Sequence, residues 1–240
     1  MFGIADWDSR TEHLIGADGI ERLRNARVLI AGVGGVGGYA VEMLARTGVG
    51  HLTLIDSDNV APSNLNRQII ATIPGLGRPK VELFAERIRE INPDIRVDAR
   101  IGFITPDNVA SLVGGNYDYI VDAIDTVAPK VALIMECLKT GTPIISSMGA
   151  GGRMDPSRVR YSDIWETRED GLAKAVRQRL KRNGIRKRLL TVSSTEAPRK
   201  SSVIECDMQN KRSSYGTTAI IPSIFGIFIA GHVISKLTGA

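Results

Sequence analysis

Short apolar runs alternate with amphipathic stretches through roughly the first 150 residues. Arg27 to Ala31, RVLIA, is short, apolar and β-branched, as a buried strand requires. It enters a glycine-rich turn and then the helical pattern YAVEMLARTG from Tyr39. A second apolar run, HLTLID, covers His51 to Asp56, so these segments predict a βαβ unit with a parallel sheet and a right-handed crossover. Lys80 to Ile91 has helical periodicity and stops at Asn92-Pro93; Ile95 to Ile101 then reads as a strand, and Thr105-Pro106-Asp107 starts another helix. The strand YDYIVDAID from Tyr117, a helix from Ala128 to Lys139 and the strand TPIISS from Thr142 follow in order. The pattern predicts an α/β fold over residues 25–150: a Rossmann-like, doubly wound, mostly parallel sheet with helices on both faces.

Residues 1–24 precede the first strand and are read as an N-terminal helical arm. After Met148 the pattern changes to GAGGRMDPSRVRYSD, so residues 151–240 are predicted to form a smaller, less regular C-terminal part that binds substrate. Within it, Asp170 to Asn183 reads as a strongly basic helix, and about 197–214 as a polar, mobile loop without apolar periodicity. Thr218 to Ile234 is apolar but contains Pro222, His232 and several glycines, and falls short of a bilayer span, so it reads as a buried terminal helix and no membrane is expected.

At 240 residues and 43% hydrophobic, the chain suits one large core with an appendage. The formal charge of +5 permits an anionic partner without locating it. Two cysteines, Cys137 and Cys206, are too few for a disulfide framework or a four-thiolate zinc site, and neither belongs to a CxxC pair, so no zinc is expected. Cys137 falls in an apolar helical pattern and reads as a buried thiol; Cys206 sits in the polar loop. The N-terminus brings acidic residues almost at once and shows no secretory signal, which predicts a cytoplasmic protein.

The turn Gly32-Val33-Gly34-Gly35-Val36-Gly37 fits G-x-G-x-x-G between strand and helix, where Gly32, Gly34, Gly35 and Gly37 let backbone N–H groups approach phosphate. Asp56 ends the next strand, the position that accepts hydrogen bonds from ribose hydroxyls. NAD, FAD and ATP all satisfy this much. Beyond it, Asp58, Asn64, Arg67 and Gln68, with Lys80 after Gly77-Arg78-Pro79, complete the nucleotide candidates. Two cations at the phosphates favour ATP, because expelling pyrophosphate requires clamps for charge on the leaving group, whereas hydride transfer needs little. Asp125 closes an apolar strand at the carboxyl edge of the sheet and is read as the magnesium ligand. Asp122 ranks second and is read alternatively as capping the following loop or orienting water.

GVGGVG, DSDNVAPSNLNRQ, GRPK and DAIDT resemble, in order, the motifs of the adenylating superfamily of ubiquitin-activating enzymes and their bacterial relatives in molybdopterin and thiamine synthesis. The resemblance implies nucleotide contacts for Asp56, Asn64, Arg67 and Lys80, magnesium at Asp125, and a homodimer in which Arg10 reaches the partner subunit's ATP site. The chain departs from the carrier-activating members, which commonly carry two CxxC pairs. Further along, ITPDNVA, YDYIVDAIDTVAPKVALI, GAGGRMDPS, SSTEAP and the Ser213 to Leu237 tail resemble the tRNA threonylcarbamoyladenosine dehydratase family. That likeness implies adenylylation of the threonyl carboxylate of the modified adenosine in tRNA and its cyclisation, with Arg67, Lys80, Asp125 and Arg10 carrying the chemistry. It leaves open a monovalent cation, Na+ or K+, and a cysteine desulfurase or sulfur acceptor system as partner. The cations Arg177, Arg179, Lys181 and Arg182 lie within a longer basic run and are read as an RNA surface. Two alternatives stand beside this: activation of the C-terminal glycine of a ubiquitin-like sulfur carrier, and an NAD-dependent oxidoreductase or non-catalytic nucleotide binder.

Overall fold

The computed structural model describes residues 7–208 and 211–239, with the side chains of 204–214 excepted. The five expected βα-type strands form at β1 (Arg27–Ala31), β2 (His51–Asp56), β3 (Arg96–Ile101), β4 (Tyr119–Asp122) and β5 (Ile144–Ser147). Between them lie α2 (Gly37–Thr47), α3 (Lys80–Ile91), α4 (Val109–Val113) and α5 (Val127–Thr140), following α1 (Ser9–Asn25). All neighbouring pairs among these strands are parallel, and the order of the complete sheet is β3-β2-β1-β4-β5-β7-β6, where β6 is Val159–Asp163 and β7 is Leu190–Ser194. One hydrophobic cluster gathers Val41, Phe84 and Phe225 on one face, and another gathers Leu133, Ile134 and Val176 on the other. Burial on both faces explains why β1 and β4 read as apolar runs rather than alternating ones.

The C-terminal part adds to this sheet. Ser146 and Ser147 pair with Thr191 and Val192 in parallel, and β6 returns antiparallel along β7 at the edge. The change of pattern after Met148 therefore marks a change of connection, not a second core. Between β6 and β7 runs the basic helix α6 (Gly171–Arg182), capped by Asp170, whose side chain accepts from the Ala173 N–H. The stretch expected as an irregular loop at 197–214 contains instead an antiparallel ribbon, β8 (Val203–Met208) and β9 (Lys211–Tyr215), with a register shift between Glu205 and Met208. Cross-strand backbone bonds organise it without needing the one-sided apolar face that the sequence lacks there.

The terminal helix α7 (Ile220–Thr238) buries Ile221, Phe225, Ile229 and Val233. By length and composition it would also suit a bilayer, in contrast to the shorter span read from the sequence; in the structure one side packs against α2, and Ile220 and Ile227 are exposed. The approach is closest at Gly226, where a Cβ would lie 2.4 Å from the Val36 carbonyl oxygen. In α1 the helix is broken at Gly16, with φ 76° and ψ 165°.

Candidate nucleotide site

The glycine loop is folded on itself between β1 and α2. Gly32 has a φ of +85°, which a side chain would resist, and a Cβ on Gly37 would stand 1.8 Å from the Gly32 oxygen. Asp56, at the end of β2, accepts from the Val33 N–H and the Asp58 N–H, both at 2.8 Å, so its carboxylate lies against the loop. Burial raises the Asp56 pKa above the ordinary aspartate value, outweighing Lys80 and the two N–H donors, which pull it down.

The segment after β2 wraps back onto the glycines. Asn64 is buried and its Oδ1 accepts from the Ala61 N–H at 3.0 Å, fixing a short turn at Pro62–Asn64. Arg67 lies with Cγ 3.6 Å from the position a Gly35 Cβ would take, and its guanidinium donates to the Ser63 carbonyl at 2.6 Å and to Asn66 Oδ1 at 3.0 Å. Gln68 is 7% exposed; its Nε2 is 3.7 Å from the corresponding point on Gly34, and its Oε1 is buried without a partner. Lys80 opens α3, is only 3% exposed, and its ammonium donates to Asp58 Oδ2 at 2.8 Å. Asp58, grouped with the nucleotide ligands on sequence, thus has a carboxylate engaged in holding Lys80. The loop, Asp56, Arg67, Gln68 and Lys80 form one assembly with unspent backbone and cationic donors, chemistry that fits a nucleotide polyphosphate.

Asp125 is exposed, three residues beyond the end of β4, in the turn before α5. No group of three or more His, Cys, Asp or Glu side chains able to hold a metal occurs among the described residues. A single accessible carboxylate still fits magnesium that takes its other ligands from phosphate and water. Asp122 is fully buried: Oδ2 accepts from Lys130 Nζ at 2.7 Å and Ser146 Oγ at 2.6 Å, and Oδ1 accepts from the Ile124 N–H at 3.1 Å. It therefore caps the turn leading to Asp125. Sequence reasoning does not single out Lys130, although a lone cation in the apolar helix pattern VAPKVALI, eight residues after Asp122, is a signal that it has a buried partner.

Arg10 is exposed on α1, and no hydrogen bond or ion pair joins it to the nucleotide residues among the described residues. The basic run divides. Arg177, half-buried, donates to the carbonyls of Ile164 and Thr167 at 3.2 Å and also to the Thr167 hydroxyl, so its guanidinium braces that turn. Lys181 lies 5.9 Å from the centroid of the Trp165 ring, while Lys174, Arg179, Arg182 and Arg186 are exposed and make no ion pair among the described residues. Arg153, also not evident from the sequence, is buried and donates to the carbonyls of Glu196 and Glu169, tying the loop after β5 to the SSTEAP turn. Cys137 is fully buried as expected, and burial pushes its thiol up to about 12. The side chain of Cys206 lies outside the described residues.

Fold and site together define a nucleotide-binding protein of the adenylating class. The ThiF family profile matches residues 9–240. The chain is 39% identical to tRNA threonylcarbamoyladenosine dehydratase of Bacillus subtilis (strain 168), covering 95% of this chain and 93% of that one. It is likewise 39% identical to the Escherichia coli (strain K12) tRNA threonylcarbamoyladenosine dehydratase, over 95% of this chain and 91% of that one. The crystal structure of E. coli tRNA N6-threonylcarbamoyladenosine dehydratase in complex with ATP superposes with a TM-score of 0.90 at 37% identity, covering 98% of this chain and 94% of that one. The chain belongs to the ThiF family and, within it, to the family of tRNA threonylcarbamoyladenosine dehydratases.

Proposed function

We propose that this chain is an ATP-dependent dehydratase that adenylylates the threonyl carboxylate of threonylcarbamoyladenosine in tRNA and closes it to a cyclic form, releasing AMP and pyrophosphate. The supporting observation is Lys80, whose ammonium is held by Asp58 beside an Asp56 carboxylate hydrogen-bonded to the glycine loop. Asp56 accepts from the ribose, the loop N–H groups, Asn64 and Gln68 face the nucleotide, and Arg67 and Lys80 take charge developing on the pyrophosphate. Magnesium, held by Asp125, would neutralise phosphate charge when bound. A carboxylate oxygen attacks the α-phosphorus and pyrophosphate leaves; the carbamoyl group of the same nucleoside, already tethered, then displaces AMP. A monovalent cation, Na+ or K+, and a cysteine desulfurase partner are compatible with this chemistry, which takes place in the cytoplasm.

Labelled pyrophosphate should exchange into ATP when tRNA carrying threonylcarbamoyladenosine is present. Exchange elicited only by a ubiquitin-like sulfur carrier would replace the tRNA reading.

The protein works as a homodimer in which Arg10 completes the partner's site. The arm carrying it precedes β1 and is hinged at Gly16, so it is able to cross a two-fold interface. An inactive Arg10→Ala subunit mixed with an inactive Asp125→Ala subunit should regain activity, because one site of each heterodimer holds both groups. Demonstrated heterodimers without activity would argue for a role within one chain.

The exposed cations Arg179 and Arg182, with Lys181, face tRNA phosphate. Changing Arg179 and Arg182 to Glu should weaken tRNA binding, leave ATP affinity unchanged, and flatten the dependence of log K on log salt by about 0.7–0.9 for each phosphate no longer neutralised. Filter binding across a salt series reads this; an unchanged slope would make the run an ordinary solvated face. Arg177 is left out, since reversing its charge would break the turn at Ile164–Thr167.

A further inference from the structure

Among the described residues, two side-chain atoms are buried without a hydrogen-bond partner: Gln68 Oε1 and Thr218 Oγ1. They belong to segments that meet at the glycine loop. Asn66 Nδ2 donates to the Thr217 carbonyl at 3.0 Å, and Pro222 Cβ lies 3.3 Å from where a Gly35 Cβ would stand. From the other side, the Gly216 N–H donates to the Ser202 carbonyl at 2.7 Å and the Gly216 carbonyl accepts from the Gly152 N–H at 2.9 Å. The strap from Gly216 to Pro222 therefore ties the β8–β9 ribbon and the loop after β5 to the nucleotide loop.

A buried amide oxygen without a donor is costly, so a ligand that supplies the donor binds against a site already prepared for it. Phosphates and an ionised carboxylate are acceptors only and leave Oε1 unsatisfied. Ribose hydroxyls are taken by Asp56 at the end of β2. The adenine amino group lies at the end of the nucleotide remote from the phosphates, whereas Gln68 lies against Gly34 of the phosphate-binding loop, so what remains is an N–H or O–H on the reacting arm of the substrate.

We propose that Gln68 Oε1 and Thr218 Oγ1 form a subsite for the ureido group beside the reacting carboxylate. This rests on the dehydratase reading above. Gln68 accepts the ureido N–H, and the Thr218 hydroxyl bonds the same group, holding it against the acyl carbon once the adenylate has formed. In the closing step a ureido atom bonds to that carbon, the acyl C–O bond to phosphate breaks with its electron pair leaving on AMP, and one ureido proton passes to bulk water. The subsite speeds closure relative to attack by water, which would return the starting nucleoside and waste ATP.

The test is the ratio of pyrophosphate released to cyclic nucleoside formed, with ATP affinity measured alongside. In the native protein the two should match. Thr218→Val removes the hydroxyl at nearly constant volume and should raise the ratio several-fold without changing ATP affinity, and Thr218→Ser should restore the native ratio. Gln68→Met should uncouple in the same sense. A native ratio in Thr218→Val, or an elevated ratio that Thr218→Ser does not restore, overturns the subsite. If native protein releases no pyrophosphate with the modified tRNA, it is the dehydratase reading that fails, and the subsite with it.

Discussion

Replacing Lys130 with methionine is expected to destabilise the chain by about 3–5 kcal/mol, because it leaves a buried carboxylate uncompensated. Lys130 and Asp122 have no side-chain exposure, and their 2.7 Å pair is closed by the Ser146 hydroxyl, 3.1 Å from Nζ and 2.6 Å from Oδ2. Methionine fills much of the lysine stem, so the loss is electrostatic and not a cavity. The companion double variant, Lys130→Met with Asp122→Leu, should recover much of that loss in stability, since replacing both ions removes both desolvation penalties. It would also release the Ile124 N–H that Asp122 caps, loosening the turn that presents Asp125. The expected pattern is therefore an unstable single variant and a more stable double variant with impaired turnover. Denaturant midpoints measure the first part, and a native midpoint in Lys130→Met would contradict the buried pair.

Lys80→Ala should lower turnover by about 10²–10³, the scale for removing one preorganised electrostatic donor. The fold should survive, and the reason is the difference between the two lysines. Asp58, which Lys80 leaves behind, has 65% of its side chain exposed and rehydrates when the ammonium is removed, whereas Asp122 does not. Single-turnover AMP formation reads the effect and thermal melting reads the fold. Turnover near the native rate would remove Lys80 from the phosphate site. Asp58→Asn should fall between native protein and Lys80→Ala, because it loosens the hold on the ammonium without deleting it.

The doubly wound sheet was legible because burial on both faces leaves β1, β2 and β4 as short, largely apolar runs between periodic helices, and the glycine turn fixes where the chain reverses. Asp56 followed from its place at the end of β2. From β5 onward the strands are less marked: β5, IISS, and β7, LTVSS, each have only two large apolar residues and β6, VRYSD, only Val159 and Tyr161, because small hydroxyl side chains such as Ser146, Thr191, Ser193 and Ser162 fill the core positions there. Arg177 illustrates the limit of reading charge along a chain. Its sequence neighbours are exposed cations, but the helix turns its guanidinium onto the Ile164–Thr167 carbonyls, a partner set by tertiary packing. Asp58 is the same lesson within the site, since a motif position identifies a residue without saying whether it touches the ligand or holds the group that does.

On the dehydratase reading, the activated carboxylate belongs to a modified nucleoside in tRNA. Incubating the protein with ATP and tRNA containing threonylcarbamoyladenosine, then digesting the RNA and weighing its nucleosides by mass spectrometry, tests it most directly. The expected result is conversion of threonylcarbamoyladenosine to a nucleoside lighter by one water, dependent on ATP and slowed by about 10²–10³ in Lys80→Ala. An unchanged nucleoside, from protein that binds ATP and releases pyrophosphate with another carboxylate, would contradict it.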